Sequence, residues 1–325
     1  MLNFVEKFIP DSKKNPKKIV FSEALDIRVL EAARFLCDRR LAIPLLLGIP
    51  SEIRDFAAKN KISTQGIKIQ HPLHQSEFDR FAKELTHLDQ DKNLSRLDAG
   101  DLLRDPLNMG MWMVRSGSVD ICIAGNLGKT AEILRAAIRF TGLKPGHKTV
   151  SGGYLMLSPD DQKLLYLADC IVTPRPTPEQ SAEIAIHTSE MFFKLTNTIP
   201  KVAMLSFSTR RSAEHEMSDK VRDAVLLAQK KRPSLILDGE VQFDAAIVPE
   251  IALRKAPDCR LQGQANVLVF PSLNAADIGR QILKMLGGYT AIGPFLQGLN
   301  GTVITLPNIC STEDIINVAL AASGL

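Results

Sequence analysis

Three carboxylates, Asp238, Glu240 and Asp244, fall within seven positions in the string DGEVQFDAA at 238–246. Such a cluster could take a divalent cation or do acid–base work, and it equally suits structural or cleft-lining roles. A second chemical string, Gly128-Lys129-Thr130, has the ending of a phosphate-binding loop, but the full pattern needs a glycine where Ile123 stands, which excludes a nucleoside triphosphatase of that type. The turn at 125–130 nevertheless leads from an apolar run into a helical pattern, so its free N–H groups and the helix dipole favour an anion. Arg135, about one and a half turns further on, either reaches a phosphate at the helix start or is a surface arginine. Ser208 and Thr209 offer hydroxyl donors beside Arg210, Arg211 and Ser212. Guanidinium groups match phosphate oxygens, and a plain hydroxyl-bonded turn explains the same residues. Gly152-Gly153 allows close backbone approach to a cofactor, or a strand bulge. None of the six histidines has a partner at ligand or triad spacing.

Short β-rich runs alternate with helical patterns along nearly the whole chain, which predicts parallel sheets with helices on their faces. Strands are expected at 18–22, 43–47, 66–69, 119–124, 149–157, 164–168, 202–206, 235–237 and 267–270. Helices are expected at 26–39, 130–140, 178–195, 218–231, 245–254 and 275–286, with a polar, helix-rich stretch at 76–117. The residues singled out above then fall at strand ends, where open α/β sheets bind ligands. Lys144-Pro145-Gly146 is the turn at which the residues alone would divide the chain.

The 325 residues, 45% hydrophobic and 23% charged, have the length of two ordinary globular domains. Forty basic residues against 36 acidic ones give +4, without the clustering that nucleic-acid binding needs. The bias suits an anionic small molecule. Cys37, Cys122, Cys170, Cys259 and Cys310 are odd in number and widely spaced, as expected of reduced thiols in a cytoplasmic protein without a metal site. No signal peptide or membrane-length apolar run is expected.

The strings SFST at 206–209, DGEVQFDAA at 238–246, QANVLVFPSLNAADIG at 264–279 and GPFLQGL at 293–299, with IVFSEALDIRVLEAA at 19–33, resemble the phosphate acetyltransferase family over most of the chain. The match is closest to its compact, single-function branch, which includes ethanolamine-utilisation types. The resemblance implies an isocitrate/isopropylmalate dehydrogenase-like architecture of two α/β domains with mainly parallel sheets flanked by helices. Residues 1–147 plus 298–325 would form one domain and 148–297 the other, with the active site in a cleft between them. It implies reversible acetyl transfer between coenzyme A and phosphate in a homodimer, with no tightly bound cofactor, metal, nucleic acid or membrane. Asp314 would be the base, and Thr130, Arg135, Ser208, Thr209 and Arg210 or Arg211 would bind phosphate.

The family segment VNDLSRGCSxxDI appears here as VITLPNICSTEDI at 303–315. Its phosphoryl-binding Ser-Arg pair has become Pro307-Asn308, so Asn308 offers a neutral hydrogen bond and one of Arg210 and Arg211 would replace the lost charge. Some members of the family carry an R-x-x-K-G element that supplies another substrate arginine; the stretch here reads RLDAG at 96–100, so the resemblance does not carry that role securely to Arg96 or Arg104. Two other readings stay open: a degenerate homologue that binds coenzyme A or an anion without efficient turnover, and a phosphate butyryltransferase.

Overall fold

A computed structural model describes residues 3–72, 78–88 and 95–325. Its strands are β1 (Lys17–Phe21), β2 (Ala42–Leu47), β3 (Lys68–Gln70), β4 (Ile121–Ala124), β5 (Ser151–Leu157), β6 (Leu164–Ala168), β7 (Lys201–Leu205), β8 (Ile236–Val241), β9 (Val267–Val269), β10 (Thr290–Gln297) and β11 (Thr302–Thr305). The chain divides into a unit of 1–142 plus 299–325 and a unit of 143–298. The corresponding expected ranges were 1–147 plus 298–325, and 148–297.

In the first unit the strand order is β3-β2-β1-β4-β11, and every neighbouring pair is parallel. All four residues of β4, ICIA, are buried, as a strand flanked on both sides and covered on both faces requires. In the second unit the order is β10-β5-β6-β9-β7-β8; β10, β5 and β6 run antiparallel, whereas β6, β9, β7 and β8 are parallel. The fold is thus mixed α/β with mainly parallel sheet, as the alternating pattern predicts.

Several expectations need correction. Asp238, Gly239 and Glu240 lie inside β8 rather than at its end, and Gly293 to Gln297 of GPFLQGL lie inside β10. The helical pattern at 245–254 is two helices, Phe243–Ile247 and Pro249–Lys255, because Pro249 cannot donate to a continuing helix. The expected helix at 130–140 is α-helical over Thr130–Ala136 and then widens into a π-helix, Ala137–Thr141. The sequence reading also omitted the helix Pro50–Lys59. Gly153 serves packing: a Cβ there would lie 2.2 Å from Cε1 of Tyr166 and 2.9 Å from Nε2 of Gln297. The strand irregularity falls on the paired strand, between Ile292 and Phe295.

The fold also pairs two histidines that are distant in sequence. The rings of His147 and His187 stack with centroids 4.4 Å apart, and His147 Nδ1 hydrogen-bonds His187 Nε2. Burial first, and His147 second, lower His187 from 6.5 to about 4; Lys144 and Lys231 act in the same direction and Glu183 opposes them. A depressed pKa for a base means that the unfolded chain binds a proton the folded chain refuses. The stabilising contribution is therefore complete above the ordinary value of 6.5 and is lost as pH falls toward 4. Stability from this residue should fall by about 1.4 kcal/mol per pH unit through that window. Urea midpoints measured from neutral pH downward should drop more steeply for the wild type than for His187→Gln; parallel curves would refute the assignment.

Candidate active site

The retained carboxylate Asp314 sits at the start of the last helix, Thr312–Ala322, which follows β11. Ser311 is its N-cap, and the two form a reciprocal capping box: the Ser311 N–H donates to Asp314 Oδ2 at 2.9 Å, and the Asp314 N–H donates to Ser311 Oγ at 3.1 Å. One oxygen of a half-buried carboxylate is thereby held in place. Among the described residues Oδ1 has no partner.

The connection from β11 to this helix exposes Pro307, Asn308 and Ile309. Its main chain is gripped by Arg28, a residue within the family-like N-terminal string to which sequence reasoning gave no role. Arg28 Nη1 donates to the carbonyls of Asn308 at 2.6 Å and Cys310 at 2.8 Å, while Nη2 donates to Asp26 Oδ2 at 2.6 Å and the Asn126 carbonyl at 3.1 Å. Asp26 also caps the helix Ile27–Asp38 that carries Arg28. One guanidinium therefore joins a helix start, the turn after β4 and the loop before Asp314. Cys310 is no thiolate nucleophile at neutral pH, because burial pushes its thiol up to about 11.

The turn after β4 corrects the expectation of N–H groups free for an external anion. The Glu23 carboxylate occupies them: Oε2 accepts from the N–H groups of Gly125 at 2.7 Å and Asn126 at 2.6 Å, and Oε1 from Leu127 at 3.1 Å and Gly128 at 2.7 Å. The physics that favours an anion there is satisfied from within the chain. Gly125 is held at φ 106, and a Cβ would lie 2.4 Å from the Leu306 carbonyl oxygen. The turn after β4 and the loop after β11 are thus in backbone contact. Replacing Glu23 by Gln removes the charge and one acceptor, and should lower stability by about 2 kcal/mol in chemical denaturation. An unchanged midpoint would show that water replaces the carboxylate without cost.

Thr130 and Arg135, on the helix that follows, are both exposed. The Arg96 side chain lies outside the described residues. Arg104 pairs with Asp101 at 3.1 Å on the surface.

In the second unit, Ser208 and Thr209 follow β7 as expected, but their hydroxyls are buried in the turn. Ser208 Oγ donates to Glu240 Oε1 at 2.9 Å, and Thr209 Oγ1 donates to Gln242 Oε1 at 3.2 Å. Arg210 is committed to a bidentate pair with Asp238, at 3.0 and 2.8 Å, so its guanidinium does not stand in for the charge absent at Asn308. Burial raises the Asp238 carboxyl, but Arg210 and two backbone donors outweigh it and hold the group below its usual value. Glu240 accepts from the Arg211 N–H at 2.7 Å and pairs with Arg222 at 3.2 Å; Asp244 pairs with Lys255 at 2.8 Å. Each member of the carboxylate cluster has its own cation, which explains how Asp238 and Glu240 are tolerated in a buried strand. Arg210 and Arg211 both have left-handed backbone, at φ 49 and 62, a conformation that L residues with a Cβ rarely adopt. The Arg211 side chain is exposed and, among the described residues, has no ion-pair partner.

Among the described residues Asp314 and Arg135 retain unpaired charged atoms, whereas Arg210, Asp238, Glu240 and Glu23 are paired within the fold. The family described as Phosphate acetyl/butaryl transferase matches residues 3–323. A relative from Bacillus subtilis (strain 168), named phosphate acetyltransferase, is 39% identical over 307 residues, covering 94% of this chain and 94% of that protein. A solved phosphotransacetylase from Streptococcus pyogenes superposes with a TM-score of 0.92 at 37% identity, covering 100% of this chain and 98% of that one. The EutD phosphotransacetylase from Staphylococcus aureus does so with a TM-score of 0.91 at 34% identity, covering 99% and 98%. The chain belongs to the phosphate acetyl/butaryl transferase family.

Proposed function

We propose that this chain transfers an acetyl group reversibly between coenzyme A and phosphate, interconverting acetyl-CoA plus phosphate with acetyl phosphate plus CoA. The observation that carries the reading is Asp314: a half-buried carboxylate, fixed by its capping box through one oxygen and unpartnered at the other among the described residues. In the direction of acetyl-CoA formation, Oδ1 accepts the thiol proton of CoA, whose free pKa resembles that of cysteine, near 8.5. The thiolate attacks the carbonyl of acetyl phosphate, a C–S bond forms, and the C–O bond to phosphate breaks with its electron pair leaving on phosphate. Hydrogen-bond donors aimed at the oxyanion and the departing phosphate lower the barrier. Asn308 offers a neutral amide there, and Thr130 and Arg135 offer a hydroxyl and a guanidinium for phosphate. Ser208, Thr209 and Arg210 act by holding their turn, which leaves Arg211 as its exposed cation.

Coenzyme A is a substrate in this reading, and no tightly bound cofactor takes part. The enzyme is a cytoplasmic homodimer. All five cysteines are free, in keeping with a reducing compartment. The helix Leu273–Met285 exposes Ile278, Ile282 and Met285 along one stripe, with Leu286 beyond it, an apolar face suited to a second copy. Sedimentation velocity should give twice the chain mass for the wild type and a lighter species for Ile282→Glu.

A second reading is favoured by the loop itself: without a guanidinium at Asn308, the chain would bind coenzyme A without efficient turnover. Thiol release from acetyl-CoA in the presence of phosphate distinguishes the two. Release that saturates in both substrates supports the transferase, and binding of CoA without release supports the alternative.

A further inference from the structure

Arg28 is an arginine beside the candidate active site with no donor to spare. A guanidinium has five N–H bonds. Here Nε donates to Asp26 Oδ1 at 3.0 Å, Nη1 to the Asn308 and Cys310 carbonyls, and Nη2 to Asp26 Oδ2 and the Asn126 carbonyl. Its charge is met by Asp26, a buried carboxylate 2.6 Å away. Neither a free N–H nor an unpaired charge is left for a substrate anion, so Arg28 can influence the reaction only through the main chain it holds.

That main chain is the loop after β11, whose side chains at Pro307, Asn308 and Ile309 are exposed while its backbone is tied from end to end. The Leu306 N–H donates to the Ala124 carbonyl at 2.7 Å, and the Cys310 N–H closes a turn on the Pro307 carbonyl at 2.9 Å. Arg28 takes the carbonyls of Asn308 and Cys310, and the Thr312 hydroxyl donates to Glu31 Oε2 at 2.6 Å. Arg28 and Glu31 stand three residues apart on the helix Ile27–Asp38, so one face of that helix grips the loop at both Asn308 and Thr312. Charge-assisted bonds to carbonyls hold a backbone more firmly than water does. The Asn308 amide therefore projects from a fixed position, with little main-chain freedom left to lose when a ligand arrives.

We propose that Arg28 is a positioning residue of acyl transfer: it touches no substrate, and it holds the main chain at Asn308 where the Asn308 amide meets the phosphate. The role rests on the reading of the chain as an acetyltransferase between coenzyme A and phosphate. It matters more in a chain with asparagine at this place than in one with arginine, because a short neutral amide offers a single hydrogen bond whose strength falls steeply with distance and angle. A misplacement of about 1 Å can cost about a hundredfold in rate.

The test compares Arg28→Lys with Arg34→Lys. Arg34 lies on the same helix and also spans two carbonyls, those of Ser63 and Gln65 at 3.1 and 2.5 Å, away from the loop. Lysine keeps a charge beside Asp26, but its donors sit on one atom and cannot span Asn308, Cys310 and Asn126 together. The helix cap survives, because Asp26 accepts from the Arg28 main-chain N–H at 2.9 Å. In thiol release from acetyl-CoA and phosphate, Arg28→Lys should lower kcat about tenfold to a hundredfold and raise KM for phosphate at least about threefold. CoA affinity by calorimetry should stay within about threefold, and Arg34→Lys should leave kcat and both KM values within about twofold. Asn308→Ala with and without Arg28→Lys completes a cycle: once the amide is gone, Arg28→Lys should change kcat/KM for phosphate by no more than about twofold. Arg28→Lys matching Arg34→Lys in kcat and in KM for phosphate would reduce Arg28 to a structural tie and overturn the proposal, as would a cycle in which the two effects multiply in full. Lost CoA affinity with KM for phosphate unchanged would overturn it by assigning Arg28 to the other substrate. Absence of thiol release from the wild type overturns the acetyltransferase reading together with this role, whereas wild-type turnover that Arg28→Lys leaves intact overturns this role alone.

Discussion

With Asp314 replaced by Asn, turnover of acetyl-CoA and phosphate should fall about 100- to 10,000-fold, the contribution general-base catalysis usually makes. Asparagine keeps an oxygen that accepts from the Ser311 N–H, so the helix cap survives and stability should change little. It cannot accept the thiol proton at neutral pH. The loss should therefore appear in kcat, with CoA affinity by calorimetry within about threefold of wild type, because the missing interaction belongs to the transition state. Asp314→Asn retaining wild-type kcat would remove the carboxylate from the mechanism. A collapse of CoA binding together with the thermal midpoint would mean that Asp314 serves only as a cap.

Restoring the family's loop residues should act in the opposite direction. Pro307→Ser with Asn308→Arg is expected to raise phosphate-dependent turnover at least tenfold and up to about a hundredfold, since one preorganised charge contact is typically worth a factor of 100 to 1,000. Two physical changes are combined. The serine frees a backbone that proline holds at one φ, and it relieves the restriction proline places on Leu306. The arginine returns a charged fork to a position whose carbonyl is already anchored by Arg28, 2.6 Å away. The loop ends are fixed in the present chain as well: the Leu306 N–H donates to the Ala124 carbonyl at 2.7 Å. The new side chain would therefore emerge from a held backbone. Adding Asp314→Asn to this pair should abolish the gain. A double variant no faster than wild type would show that the charge for phosphate comes from elsewhere, Arg135 being the exposed cation to test next.

Much of the secondary structure was legible because its signals are local. The apolar runs that became β1, β2, β4, β6 and β7, and the helical spacing over Ile27–Asp38 and Pro178–Thr196, depend on periodicities a few residues long. Asp314 was legible only through resemblance, since nothing in its spacing marks it as a base. The same resemblance supplied the return of the chain's tail to the first unit, which residues 1–142 share with 299–325. No local signal encodes that return.

What the sequence by itself determined is the alternation of strands and helices, the family, and the exchange of a Ser-Arg pair for Pro307-Asn308. What only the tertiary structure decided is which polar atoms are still available. Glu23 and the turn that binds it are about a hundred positions apart, as are Lys18 and the Asp120 carboxylate that accepts from its N–H at 2.7 Å. Arg28 reaches Asn308 across 280 positions, and His187 meets His147 across 40. Arg210 and Arg211 are neighbours with the same charge, yet one is spent on Asp238 and the other faces solvent. Hydrogen bonds and ion pairs act over about 3 Å in space irrespective of separation along the chain, so the partner that consumes an anion site or a guanidinium becomes visible only once the strands are packed side by side.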